Sequence, residues 1–215
     1  MSFSTMLSTM SAGMLKTFLI FALTLIGSLP LGMIVALLRK SRFAPVRALI
    51  RAYISIMRGT PLMLQLLVWY FGPYYLFGWN IGNWRFPAII VGFVLNYAAY
   101  FAEIYRGGIE SIPAGQYEAA EVLGFTKFQT FMRIILPQVV KIIMPSVTNE
   151  VITLVKDTSL AFTLAYQEVF SLAKQISASQ TSFMPFLIAG VFYFVANYLV
   201  EIAMARIEKS MDYYK

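Results

Sequence analysis

Lys156 and Asp157 are adjacent in a stretch that is otherwise apolar, and Glu150 stands seven positions earlier on a similar helix face. A carboxylate in such a place suits an ammonium group. It equally suits a lysine or a helix end during folding, so both uses of Asp157 stay open, and pairing with a basic residue stays open for Glu150. Thr158 and Ser159 follow directly and can break the helix, exposing polar backbone. Inside a bilayer such backbone is tolerated where it lines a cavity. Arg58-Gly59-Thr60-Pro61 is a second interruption, because Pro61 has no amide hydrogen and frees a carbonyl in the preceding turn. Arg58 could hold a carboxylate through a bidentate pair, or simply belong to a basic segment. Gln65 and Asn96 are uncharged polar residues in apolar runs, suited to hydrogen bonds between helices or to contact with a polar molecule in transit. Glu103 and Arg106, three apart, fit an ion pair on one helix face.

The elements that carry these residues follow from composition. Of 215 residues, 59% are hydrophobic and 13% charged, against about 25% charged in a typical soluble domain. The mean hydropathy is +0.70. That excludes an ordinary soluble globule. The absence of Cys and His removes disulfides, thiolate sites and the commonest metal ligand and general base. Most hydrolases and metalloenzymes are thereby disfavoured, and no metal site is expected.

A bilayer core of about 30 Å is crossed by about 20 helical residues. The chain therefore reads as an all-α membrane protein, a single unit over residues 1–215 with five transmembrane helices near 16–39, 59–78, 86–106, 138–157 and 183–204. Basic residues test the order. Arg39, Lys40, Arg42, Arg47, Arg51 and Arg58 lie between the first two spans, and Arg85 alone lies in the next loop. Arg106, Lys127, Arg133 and Lys141 follow the third span, Lys174 the fourth, and Arg206, Lys209 and Lys215 the fifth. This alternation puts the N-terminus outside and the C-terminus in the cytoplasm of a multi-pass cell-membrane protein. The net charge of +7 then reflects orientation and anionic lipid, with no nucleic acid involved. The first span exceeds a signal-peptide core and lacks a following small-residue cleavage site, so it is expected to stay. Trp69, Tyr70, Phe71, Tyr74, Tyr75, Phe77, Trp79 and Trp84 read as an outer interface belt, and the scattered Met residues as core filling.

Residues 107–137 form the long cytoplasmic loop. Pro113 and Gly115 mark a turn, residues 116–123 read as a short helix, and Gly124 stops it at the usual C-cap position. Thr126 with Gln129 fits a capping box that opens a second helix, running through Phe128, Phe131, Met132, Ile134 and Ile135 to Pro137. This compact knuckle has more apolar residues than a solvated loop. Either the bilayer surface or a partner must cover them.

Glu118-Ala119-Ala120, three residues, Gly124, nine residues, Ile134, one residue and Leu136-Pro137 together resemble the EAA loop of ABC-importer permeases. Arg58-Gly59-Thr60-Pro61-Leu62, the run from Ala99 to Gly108, Gly115-Gln116 and Lys156-Asp157-Thr158-Ser159-Leu160 are similar to the polar amino-acid subgroup, over roughly residues 15–210. The resemblance implies that the loop is a coupling helix seated in a cleft of a cytoplasmic ATPase dimer, with Glu118, Ala119, Ala120, Gly124, Ile134, Leu136 and Pro137 as docking residues. It implies a second permease subunit, identical or homologous, an extracytoplasmic solute-binding protein, and amino-acid import by alternating access. Asp157, Thr158, Ser159, Arg58, Thr60, Gln65 and Asn96 become the substrate pathway, with Asp157 suited to the α-ammonium group. The sequence has no Gly-x-x-x-x-Gly-Lys-Ser/Thr phosphate loop. No cofactor is expected on this chain, and ATP and Mg would sit on the ATPase, so the chain is not itself an enzyme.

A secondary carrier or channel driven by an ion gradient is the alternative. It lacks support from an inverted repeat, and it leaves the loop motif unexplained. An intramembrane enzyme would need an unusual Ser–Lys or Asp–Asp arrangement.

Overall fold

The computed structural model describes residues 2–211; Lys215, counted above among the tail cations, lies outside the described residues. All regular structure among them is helical. The order is α1 (Phe3–Arg39), α2 (Ala44–Gly59), α3 (Leu62–Phe77), α4 (Arg85–Glu110), α5 (Ala114–Val122), α6 (Lys127–Thr130), a π-helical segment (Phe131–Ile135), α7 (Leu136–Asp157), a 3-10 segment (Thr158–Leu164), α8 (Val169–Gln180) and α9 (Met184–Ser210).

Helices α1, α4 and α9 and the run Lys127–Leu164 are long and apolar enough to cross a membrane. The span expected at 59–78 is the shorter α3, with 16 residues, about 24 Å at 1.5 Å per residue. The segment read as a basic loop is largely helical. Pro45 in the first turn of α2 fits there because an amide hydrogen is not needed at that position, and the helix buries Ile54 while carrying Arg47, Arg51 and Arg58. Helix α8 has no counterpart in the sequence expectation.

Helix α4 is the centre of the bundle, packing on α1, α2, α3 and α7. Lipid tails are as apolar as leucine, so helices in a bilayer associate through close packing more than through burial of oil. Helix α1 accordingly carries small residues at every fourth position, Thr24, Ser28 and Gly32, all buried, and Gly27 and Gly32 lie against Val94 and Phe101 of α4. A side chain at Gly32 would come within 2.8 Å of the Phe101 Cβ and 3.1 Å of the Ala98 carbonyl. Gly108 plays the same part between α4 and α7, where any Cβ would overlap Ile143. A second core lies at the other end of α1. Met6, Met10 and Met14, again every fourth residue, fill space against Val169, Ala173 and Ile176 of α8 and Ala189 of α9.

The neighbouring glycines 107 and 108 separate packing from helix propensity, since a Cβ at Gly107 meets nothing within 4 Å. Gly107→Ala should leave thermal unfolding of the detergent-purified chain unchanged or slightly raised, by up to about 1 kcal/mol. Gly108→Ala should lower stability by about 1–3 kcal/mol, the usual effect of overpacking.

Candidate functional site

Two places bring the chemistry-bearing residues together. The first is a cavity of about 380 Å³ between α3, α4 and the end of α7, lined by Thr60, Asn96, Tyr97, Tyr100, Glu150, Thr153 and Asp157 among others. It forms where helices are interrupted. Pro61 cannot donate to the Met57 carbonyl, which would otherwise end an α-helical bond there. That carbonyl accepts instead from Gln65 Nε2 at 2.9 Å and Asn96 Nδ2 at 3.0 Å. Gln65 Nε2 also reaches the Thr60 carbonyl and hydroxyl at 3.1 and 2.9 Å, and its Oε1 accepts from Asn96 at 3.0 Å. Both amides, expected either in the substrate pathway or between helices, are thus engaged in holding the break. Asn96 still forms part of the cavity wall.

The expected break at Thr158–Ser159 is gentler. Helix α7 tightens into a 3-10 turn, and the chain leaves it at Ala165, whose φ is +54°. Thr158 is buried and donates to the Val155 carbonyl at 2.7 Å, so it faces its own helix. Ser159 is half-buried, and Thr60 is exposed, bonding the Ile56 carbonyl at 2.8 Å. Asp157 is the firmly positioned acid: its Oδ2 accepts from the Tyr97 hydroxyl at 2.7 Å, and Tyr97 is itself 2% exposed. Glu150 lines the same space, so two carboxylates share one cavity. Lys156 is exposed and does not line the cavity.

Arg58 lies beside the cavity. Its guanidinium stands 5.3 Å from the Tyr100 ring centroid and 3.7 Å from Glu103 Oε2. Glu103 also pairs with Arg106 at 2.8 Å, as the three-residue spacing anticipates, and with Arg39 at the end of α1. Arg106 in turn pairs with Glu110. One carboxylate therefore ties the ends of α1, α2 and α4 together. The two carboxylates of the cavity suit a cationic group, and the arginine cluster beside it suits an anionic one. Among the described residues no group of three or more His, Cys, Asp or Glu side chains could hold a metal ion.

The second place is the knuckle. Helix α5 ends where Gly124 takes a φ of +79°, a conformation other residues rarely adopt. Thr126 and Gln129 form the reciprocal capping box. Glu118, Ala119 and Gly124 are exposed, while Ala120 is buried and Ile134, Leu136 and Pro137 are half-buried in the joint with α7. The outward apolar surface is formed by Val122, Leu123 and Phe128, at 88%, 74% and 74% exposure.

Sequence reasoning missed Glu168, which is fully buried and caps α8, accepting from the Phe170 and Ser171 amides at 2.7 and 2.6 Å and from Tyr193 at 3.1 Å. An acid directly before an apolar run was the available signal.

Removing the amides should expose what they do. Gln65→Leu or Asn96→Leu leaves a buried carbonyl short of a partner, at about 1–3 kcal/mol. Each should lower the unfolding midpoint of the purified chain, and the double variant should lose more than either single, because only it leaves the Met57 carbonyl without either amide donor.

Residues 28–213 match the family described as binding-protein-dependent transport system inner membrane component. The chain is 35% identical over 208 residues to the L-cystine transport system permease protein TcyB of Bacillus subtilis (strain 168), covering 95% of this chain and 87% of that one. It is 36% identical over 200 residues to the arginine transport system permease protein ArtQ of the same organism, covering 93% and 90%. A crystal structure of an amino acid ABC transporter with histidines superposes with a TM-score of 0.87 at 30% identity, covering 98% of this chain and 99% of that chain.

Proposed function

This chain belongs to the family of inner membrane components of binding-protein-dependent transport systems, and we propose that its acidic cavity is where such a component holds an amino acid in transit. It is the pore-forming permease subunit of an ATP-driven amino-acid importer in the cell membrane. The observation that carries the assignment of the cavity is the Asp157 carboxylate, fixed by Tyr97 and joined by Glu150 in one polar space at interrupted helices. Asp157 receives the α-ammonium group. Glu150 favours a second positive centre, as on a cationic side chain, and Arg58, alongside Tyr100, is placed for the carboxylate. Thr60 and Ser159 complete the polar path, whereas Thr158, Gln65 and Asn96 shape it.

In this reading the chain is one transmembrane unit with five spans, α3 included, its N-terminus outside and its C-terminus in the cytoplasm. A second permease subunit faces the polar stripe of α7. Ser146, Asn149, Thr153 and Lys156 are exposed at successive turns, and polar groups at bilayer depth are not normally left to lipid. The knuckle is the coupling helix, docking on an ATPase dimer through Glu118, Ala119 and the bend at Gly124, with Ile134, Leu136 and Pro137 supporting it. Val122, Leu123 and Phe128 add the apolar contact. ATP and Mg belong to that ATPase, and a solute-binding protein delivers the amino acid outside.

Asp157→Asn should reduce uptake of a cationic amino acid about tenfold or more, the loss expected for a charge-assisted hydrogen bond, while the ATPase still co-purifies. Glu150→Gln should shift preference from cationic toward neutral amino acids in competition assays. Unchanged uptake and selectivity in both would remove the acids from the substrate site. Orientation has its own check in a chain without Cys. Gly82→Cys should react with an impermeant maleimide from outside and Ala44→Cys should not; the reverse pattern would invert the topology.

A further inference from the structure

Helix α5 has few attachments. It packs on α6, buries Ala120, and is joined covalently to α7 only through two soft places. One is the Gly124 bend. The other is the π-helical segment Phe131–Ile135, where helical bonding skips a residue and which runs into Pro137, a residue with no amide hydrogen to lend. A push on α5 routed along the chain would be absorbed at these joints.

A second route bypasses both. Gln116 Nε2 donates to Gln138 Oε1 at 2.9 Å, and Gln138 Nε2 donates to Gln116 Oε1 at 2.6 Å. Two primary amides paired in this way satisfy each other's donor and acceptor and fix mutual orientation as well as distance. Gln138 Nε2 also donates to the Ile134 carbonyl at 2.7 Å, so one amide grips α5, the π segment and the first turn of α7 together. Both side chains are half-buried, which shields the pair from water competing for the same bonds.

We infer that the Gln116–Gln138 amide pair is the rigid link that carries movement of the docked α5 into α7, making both glutamines positioning residues for coupled transport. The inference rests on the reading of α5 as the ATPase-docking helix. Helix α7 carries Glu150 and Asp157 at its other end, and although Pro145 removes one bond in its middle, the helix keeps its course over 22 residues, so a displacement delivered to its first turn reaches the cavity wall along it.

The test uses the complete importer, permease with its ATPase and binding protein, in proteoliposomes, with uptake and ATP hydrolysis read together. Gln116→Leu and Gln138→Leu should each raise the ATP hydrolysed per amino acid imported on the order of tenfold, a typical upper range for residues carrying coupling between sites. The ATPase should remain bound, and the double variant should be no worse than either single. Because the chain lacks Cys, Gln116→Cys with Gln138→Cys can be bridged by a short bismaleimide. The unbridged pair should be uncoupled and the bridged pair recoupled, which a mere loss of folding could not produce. An unchanged ratio in the leucine variants, loss of ATPase binding in them, or no recovery on bridging would overturn the link. Failure of the docking reading itself shows separately, as ATPase binding by the otherwise unaltered chain that survives Gly124→Trp.

Discussion

The Met57 carbonyl is the point on which the arrangement of the cavity depends. A backbone acceptor in a bilayer must find a partner within the protein, and Pro61 removes the one that helical continuity would supply. Gln65 and Asn96 replace it, one from α3 and one from α4. That substitution converts a potential defect into an elbow of defined geometry. Helix α2 can end at Gly59, α3 can start afresh at Leu62, and the unwound Thr60 can face a space containing Asp157 and Glu150. The same bonds bring α3 against α4, the helix on which most others rest.

Because α4 occupies the centre, its side chains set positions on several neighbours at once. Tyr97 fixes Asp157 at the end of α7. One turn and a half further along, Glu103 gathers Arg39, Arg58 and Arg106. Cavity and ion cluster are therefore two stations on a single rigid rod, and Arg58 touches both through Tyr100 and Glu103. Three arginines around one partly buried carboxylate leave net positive charge beside a cavity carrying two acids. Tyr100 joins the two, lining the cavity with the acids while its ring carries the Arg58 guanidinium.

Local signals were legible in the sequence where they depended on local physics. Gly124 as a bend, Thr126 with Gln129 as a capping box, and Glu103 with Arg106 as a pair are each determined within a few residues. The long apolar helices were legible for the same reason. What was not legible required knowing which face meets which neighbour. Ala119 and Ala120 are identical as letters, yet Ala120 is buried under the knuckle and Ala119 is exposed. Gln65 and Asn96 gave no sign that they share one carbonyl until α3 and α4 were side by side. Helix α2 was hidden because its arginines read as an orienting loop, although their spacing also suits one face of an amphipathic helix. Glu168 and α8 were missed because a lone acid announces a helix cap only when the following helix is recognised.

The placement of stiff and soft backbone gives the chain a mechanical order. Helix α7 runs for 22 residues between its two irregular ends, a π segment at the knuckle and a 3-10 turn beyond the cavity, with Pro145 removing one backbone bond in its middle. Irregular helix at both ends lets the rod between them shift or rotate without breaking its own bonds, since the misfit is absorbed where hydrogen bonding already departs from the α pattern. Gly108 at the crossing with α4 permits the close approach about which such a rod can pivot. The acids sit at the far end of that rod, beyond the crossing, so under the proposed link a small displacement at the knuckle end would alter the spacing of Asp157 and Glu150 from Tyr97 and Thr60. Affinity for a charged group falls steeply with such changes, because hydrogen bonds to carboxylates are both distance- and angle-dependent.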